Sequence, residues 1–241
     1  MLDSAKKWCR NRLDQNGVLY RCLRALNRPR ETAKGLRHRI TKNSVFSHES
    51  ELQDCSLLPE PLLESVVALL RPRSVLDVGC GTGRSLDYFM DRGIATQGVE
   101  GSALGISKAK HPERIQQWNL NKELNLHRRF DLVWCFEVAE HIHPNYVESL
   151  LKTLTNHAGT ILMSAAHPGQ GGIGHFNEQP RQYWLEAFAR HGYQHNDELK
   201  QRLCENWTWH PENIFVFQRT RAGAQPARQG QDFEVSDSNL S

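Results

Sequence analysis

Three glycines at alternate positions, Gly79, Gly81 and Gly83, follow the apolar run Val75-Leu76-Asp77-Val78. Glycine is required where backbone turns tightly off a strand and a ligand must approach without a Cβ in the way. The run before the loop is β-branched and apolar, as in a strand buried on both faces. The helix-like segment Ser85-Leu86-Asp87-Tyr88-Phe89-Met90 comes after it. Strand, glycine loop and helix start together make a nucleotide-binding edge. Two carboxylates strengthen the pattern: Asp77 inside the strand, and Glu100 at the end of Ala95-Thr96-Gln97-Gly98-Val99-Glu100.

Val75 to Gly83 resembles motif I of the class I S-adenosylmethionine-dependent methyltransferases. Its last glycine comes one residue earlier than in the dinucleotide fingerprint G-x-G-x-x-G, which favours an adenosyl ligand without a pyrophosphate. Glu100 sits where that family places the acid that holds the ribose hydroxyls. The resemblance implies a cofactor site of Asp77, Gly79, Cys80, Gly81, Thr82, Gly83, Glu100, Gly101, Asn119, Leu120 and Phe136. Trp118-Asn119-Leu120 occupies the position of the adenine contact, although Asn119 also reads as an ordinary turn residue. Phe136 packs near the cofactor or is a buried strand aromatic.

Phe130-Asp131-Leu132-Val133-Trp134-Cys135-Phe136-Glu137 resembles the family's motif IV strand, which ends beside the transferring methyl. Ligands of open α/β sheets bind outside the carboxyl ends of the strands, so residues 136–141 are candidates by position. Glu137-Val138-Ala139-Glu140-His141 is an E-x-x-E-H. It is similar to the segment of ubiquinone-biosynthesis-like O-methyltransferases. It is also similar to that of small-RNA 3′-end 2′-O-methyltransferases, where it holds a divalent metal with a later histidine. His175 is the natural fourth member, giving a metal set of Glu137, Glu140, His141 and His175. The stretch from His167 to Glu178 contains four glycines and reads as a mobile lid.

The sulfonium cofactor is already an activated methyl donor, so much of the catalysis is in-line positioning. A hydroxyl acceptor must still lose its proton. A histidine can take it, and the candidates are His141, His175 and His167. A divalent cation can instead acidify the hydroxyl, and two carboxylates with two imidazoles suit Mn²⁺, Fe²⁺ or Zn²⁺ at least as well as Mg²⁺. A third reading has Glu137 and Glu140 as hydrogen-bonding and capping groups and His141 as a turn residue. Trp207, Trp209 and His210 either face the acceptor or anchor loops.

Helical spacing from Leu57 to Leu70 predicts a helix, with Pro59 and Pro61 at its start. Strands are predicted at 74–79, 95–100, 114–118, 130–136 and 159–165, and helices at 85–92, 102–110, 145–156 and 180–191. A closing antiparallel pair is predicted over 197–206 and 212–219. Such alternation specifies a doubly wound α/β fold with a mostly parallel sheet. The resemblance, over about residues 57–220, implies a Rossmann-like methyltransferase sheet of seven strands with the last antiparallel.

Three segments follow: a basic, helical arm over 1–45, a methyltransferase domain over 46–220, and a disordered tail over 221–241 that is poor in apolar residues. The arm carries 12 Lys/Arg against 3 Asp/Glu, whereas the remainder carries 18 against 24. Val18, Leu19, Cys22, Leu23 and Leu26 fall at helical spacing with arginines between them. Three readings stay open for the arm: a cap on the domain, a helix on an anionic membrane surface, or a phosphate-seeking nucleic-acid contact. The six cysteines show no C-x-x-C pair, which fits free thiols in a reducing compartment. With no apolar run near the ~18 residues that span a bilayer, the expected location is cytoplasmic, with the inner membrane surface as an option for the arm.

The resemblance thus implies an S-adenosylmethionine-dependent methyltransferase, expected to act on oxygen of a small molecule or a glycan sugar. Asn-Pro-Pro-Tyr-type motifs of base and amide N-methylation are replaced by Phe136-Glu137-Val138-Ala139. Two alternatives are a metal-dependent RNA 2′-O-methyltransferase and a non-catalytic protein that binds the cofactor.

Overall fold

The computed structural model describes residues 58–172 and 174–220. The predicted arm over 1–45 and tail over 221–241 lie outside the described residues. Helix α1, Glu60–Leu70, begins one residue after Pro59 and buries Leu62, Leu63 and Val66. Next come β1 (Ser74–Val78), α2 (Arg84–Met90), β2 (Ala95–Glu100), α3 (Ala103–Ser107), β3 (Ile115–Gln117) and β4 (Leu132–Cys135). The chain continues through α4 (Val147–His157), β5 (Thr160–Ser164), α5 (Arg181–Arg190), β6 (Tyr193–His195), α6 (Asp197–Leu203) and β7 (Ile214–Arg219).

The seven strands form one sheet in the order β3-β2-β1-β4-β5-β7-β6. β1 pairs in parallel with β2 and β4, and β5 in parallel with β4. β7 is antiparallel to both β5 and β6. This is the doubly wound fold that the alternating elements predict.

Strand parity explains the two layers. Leu76, Val78, Val133, Cys135, Ile161, Met163, Phe215 and Phe217 point to one face, where α4 and α5 add Leu150, Leu151, Leu154, Trp184 and Phe188. Val75, Leu132, Trp134, Leu162, Ile214 and Val216 point to the other, against Leu62, Leu63 and Val66 of α1, Phe89 of α2 and Leu203 of α6. A strand apolar at every position can only sit between two such layers. Asp131 sets the lower edge: its carboxylate accepts the amides of Arg73 (2.8 Å) and Ser74 (3.1 Å), fixing the start of β4 beside the start of β1.

One prediction fails. The stretch predicted as a strand over 197–206 is α6, and the sixth strand is the earlier Tyr193–His195. Asn196 caps the helix through its side-chain oxygen, which accepts the Leu199 amide at 2.9 Å. Asp197 and Glu198 then lie in the first turn and Lys200 and Arg202 in the last, the arrangement that complements a helix dipole. Among the described residues no helix is long and apolar enough to cross a membrane, and Cys80, Cys135 and Cys204 carry free thiols.

Candidate active site

The parallel strands β1, β2 and β4 end at one edge, and the glycine loop leaves β1 there. Gly79 has φ +79° and its amide donates to the Val99 carbonyl at 2.7 Å. A Cβ on Gly79 would stand 2.4 Å from Val138, so the loop after β1 lies directly against the segment after β4. Gly98 serves the same closeness inside β2, since a Cβ there would meet Cys80 Sγ at 2.8 Å. Burial, with the charges of Asp77 and Glu100, pushes the Cys80 thiol well above its ordinary range, so it is a packing group. Thr82 is half-buried in the same loop and Gly83, buried, caps α2.

Glu100 is 6% exposed. Its Oε2 accepts the Gly81 amide at 2.8 Å and its Oε1 the Ser102 amide at 2.7 Å. Those bonds fix the carboxylate and leave a lone pair on each oxygen, the requirement for accepting two neighbouring ribose hydroxyls. Asp77 is also buried, and burial followed by the charge of Glu100 holds its carboxyl well above the usual carboxylate range. Two buried acids beside bare backbone fit a cationic ligand that cancels their repulsion, as a sulfonium amino acid does. The turn after β3 closes the edge: Trp118 donates its amide to the Glu100 carbonyl at 2.9 Å. Gly101 and Asn119 flank this point. The Asn119 side-chain oxygen accepts the Asn121 amide at 2.9 Å, the ordinary turn role, and Leu120 is buried in the core.

Glu137 follows β4 with φ +59°, a left-handed conformation unusual for a residue with a Cβ. It is held there by Ser164 at the end of β5. The Glu137 amide donates to Ser164 Oγ at 2.6 Å, and that hydroxyl donates to Glu137 Oε1 at 2.7 Å. The strained turn carries the chain into a 3₁₀ turn, Ala139–His141. Glu140 is fully buried there, with no conventional hydrogen bond to its carboxyl oxygens and the Glu137 carboxyl beside them. Burial and the charge of Glu137 push it well above its ordinary range.

A ligand atom from each of Glu140, His141 and His175 lies within 4.8 Å of the others. The two imidazole rings are 5.0 Å apart. His141 Nδ1 is 3.0 Å from the Gly174 carbonyl, which can only accept, so Nδ1 carries the proton and the lone pair is on Nε2. His175 Nδ1 is 3.0 Å from Glu178 Oε1, with the same consequence. Imidazoles that hold metals are oriented in this way by a carbonyl or carboxylate on the other nitrogen. The donor set and its supports therefore fit a divalent cation.

Three of the four predicted metal residues come together within this distance; the Glu137 carboxyl accepts from Ser164 and lies beside that of Glu140. His167 is exposed and faces His210 across 5.9 Å, outside the cluster. Phe136 stacks on Trp134 at 5.4 Å and meets Trp207 and Trp209 at 6.0 and 6.4 Å, so it belongs to an aromatic group.

The predicted lid is tied down at its far end. Phe176 and Asn177 donate their amides to the Glu140 carbonyl at 2.9 and 3.1 Å, and Asn177 Nδ2 donates to the Ala139 carbonyl at 3.2 Å. Gly172 serves packing, since a Cβ there would lie 2.2 Å from the His175 ring, whereas Gly169 and Gly171 have open space beside them and positive φ of +84° and +70°. Glu178 organises the rest, accepting the Gly169 and Gly171 amides at 2.8 and 2.6 Å as well as His175. Burial alone would raise Glu178, but these hydrogen bonds outweigh it and hold the carboxyl below its ordinary value. Sequence reasoning missed Glu178, Asn177 and Ser164. The one legible signal was the three-residue spacing from His175 to Glu178.

A family model described as a methyltransferase domain matches residues 48–206. The chain belongs to this family, and with its glycine loop, Glu100 and seven-stranded sheet it is a class I S-adenosylmethionine-dependent methyltransferase. Among curated proteins, the ubiquinone biosynthesis O-methyltransferase of Coxiella burnetii is 34% identical over 80 residues, 30% of this chain and 34% of that one. The chain thus spans about a third of the length of the curated relatives it matches. Two solved structures share the fold. One is a sugar N-methyltransferase from Streptoalloteichus, 18% identical with a TM-score of 0.57 over 72% of this chain and 94% of that one. The other is an amino pentose methyltransferase from Micromonospora echinaspora, 17% identical with a TM-score of 0.53 over 80% and 99%.

Proposed function

We propose that the protein transfers the methyl group to a hydroxyl oxygen of a small molecule or sugar, with a divalent cation at Glu140, His141 and His175. The observation that carries this reading is Glu140: a fully buried carboxyl with no conventional hydrogen bond, set against the Glu137 carboxyl and beside two imidazoles whose Nδ1 atoms are engaged elsewhere. A buried carboxyl without hydrogen bonds costs on the order of 1–3 kcal/mol or more. A cation bound there removes that cost.

S-adenosylmethionine supplies an activated methyl, so the chain's own task is to hold donor and acceptor in line and to dispose of one proton. The glycine loop and Glu100 hold the donor. A cation held by the three residues would supply Lewis acidity towards a bound hydroxyl. With a cation in place the Nε2 atoms of His141 and His175 would be its ligands; in its absence one of them would be the acceptor of the proton as the C–O bond forms. Glu178 faces the Nδ1 side of His175, where positive charge would develop. The O-methyltransferase named among the 34% identical relatives supports oxygen as the accepting atom.

The test is methyl transfer from radiolabelled donor to hydroxyl and amine acceptors, before and after EDTA, with elemental analysis of the purified protein. Chelation should abolish transfer to oxygen, Mn²⁺, Zn²⁺ or Mg²⁺ should restore it, and Glu140→Gln should lose both metal and activity. Transfer to oxygen untouched by EDTA in metal-free protein overturns the cation. Transfer to nitrogen alone overturns the oxygen assignment.

A further inference from the structure

One indole is displayed beside this site rather than buried. Trp209 is 36% exposed in the connection from α6 to β7, whereas Trp207, two residues earlier, is 7% exposed. Trp207 and Trp209 meet edge to face at 6.0 Å, and both pack on Phe136, the residue before Glu137. The aromatic group thus reaches the end of β4.

Hydrogen-bonding groups rim the exposed indole. His210, in a left-handed conformation at φ +47°, lies with its ring 5.1 Å from that of Trp209. Its Nδ1 is 2.8 Å from Glu212 Oε1, and the His167 ring lies 5.9 Å away. His210 is also near enough for its charge to act on the Glu137 carboxyl. An apolar plate edged by an oriented imidazole, a carboxylate and a second imidazole matches a ring with a C–H face and a periphery of hydroxyls. A phenol would use the plate and leave most of the polar edge unmatched.

We infer that Trp209, backed by Phe136 and Trp207 and edged by His210, Glu212 and His167, is the acceptor subsite, and that it takes a pyranose ring. The sugar stacks on the Trp209 indole while its hydroxyls hydrogen-bond to His210 and Glu212. One hydroxyl is thereby turned towards Glu140, His141 and His175. The inference rests on the reading of the protein as an O-methyltransferase and narrows its acceptor.

The experiment titrates ¹⁵N-labelled full-length protein, saturated with S-adenosylhomocysteine, with methyl gluco-, galacto-, manno- and xylopyranosides and in parallel with catechol and substituted phenols. The Trp209 indole N–H signal is assigned by its loss in Trp209→Phe. At least one pyranoside should shift it. Trp209→Ala should weaken that binding roughly ten-fold, the size expected for a lost stacking contact. His210→Asn, which keeps a residue tolerant of positive φ, should weaken it less, and donor binding by calorimetry should stay unchanged in all variants. Should Trp209→Ala not fold, Trp209→Phe serves, with a smaller loss. The subsite is overturned if no pyranoside moves the signal, if phenols alone move it, or if pyranoside affinity is the same in Trp209→Ala. Methylation of a sugar at unchanged KM in Trp209→Ala overturns the subsite and leaves oxygen transfer standing. Pyranoside binding at Trp209 without methyl transfer to any hydroxyl keeps the subsite and removes the transfer reading.

Discussion

Glu178 holds His175 by its Nδ1, at 3.0 Å, with the same carboxylate that gathers the amides of Gly169 and Gly171. One acid thereby sets the shape of a glycine-rich turn and the tautomer of an imidazole. Glu178→Gln should lower turnover by about 10–100-fold, the range seen when such supporting groups are removed, and should weaken metal retention. Donor affinity measured by calorimetry should not move, because the hydrogen bonds of Glu178 go to Gly169, Gly171 and His175 and not to the glycine loop after β1. Undiminished turnover would mean that His175 needs no such support.

Glu100 makes the corresponding test of the donor edge. Its two charge-assisted hydrogen bonds from Gly81 and Ser102 fix the carboxylate in the place expected of the acid that holds the ribose. Glu100→Ala should weaken S-adenosylmethionine and S-adenosylhomocysteine alike by about ten-fold or more, since hydrogen bonds to charged groups contribute about 1.5–3 kcal/mol each. An isothermal titration indistinguishable from wild type would remove Glu100 from the site.

Donor binding should also release protons. Asp77 is held well above the ordinary carboxylate range by burial and then by Glu100. A cationic ligand reverses the second influence and favours the carboxylate, so the complex binds fewer protons than the free protein. Calorimetric titrations at pH 6–7 in buffers of different ionisation enthalpy should therefore differ in heat. Identical heats in all buffers would show that Asp77 does not sense the donor.

Much of this edge was readable beforehand because it is local. Val75 to Gly83 and Glu100, the centre of the proposed donor site, lie within 26 residues of chain, and the pattern of apolar strands announces the sheet. What escaped reading depends on contacts between distant segments. Glu140 becomes unusual only because β4 and the 174–177 segment meet. Ser164 matters only because β5 lies next to β4. The mistaken strand over 197–206 failed for another reason: its mixture of Leu199, Leu203 and charged residues suits either period, and the Asn196 cap with its flanking charges decided for the helix.

Gly79→Ala should be costly for two separable reasons. The added methyl meets Val138 at 2.4 Å, and φ +79° strains any residue with a Cβ. The thermal midpoint should fall by several degrees, in line with about 1–3 kcal/mol for overpacking plus about 1 kcal/mol for the backbone. Adding Val138→Ala should recover only the first part. Full recovery would show the backbone strain to be negligible.

His157 gives a stability signature away from the site. It is fully buried at the end of α4; Nδ1 donates to the Thr153 carbonyl at 2.5 Å and Nε2 accepts the Leu126 amide at 2.9 Å. Both bonds require the neutral ring, and burial lowers its pKa from 6.5. The unfolded chain then takes up the proton first. The stabilisation from His157 is complete above about pH 6.5 and is lost as pH falls towards the folded value, by up to about 1.4 kcal/mol per pH unit. Urea unfolding of wild type and His157→Gln between pH 8 and 5.5 isolates this difference from the opposing influence of Asp77 and Glu140. A constant difference would show that the ring charges as readily folded as unfolded.

The connection from α6 to β7 occupies ten residues, Cys204 to Asn213, and it meets the strand ends at Phe136, through Trp207 and Trp209. On the proposed acceptor subsite, a change of taste in such an enzyme can leave the glycine loop and Glu100, and with them its appetite for the donor, as they are. Lengthening or rewriting that short bridge, while β1, β2 and the Ala139–His141 turn stay as they are, is the route by which one ancestral scaffold would be fitted to new compounds, in nature or in the laboratory.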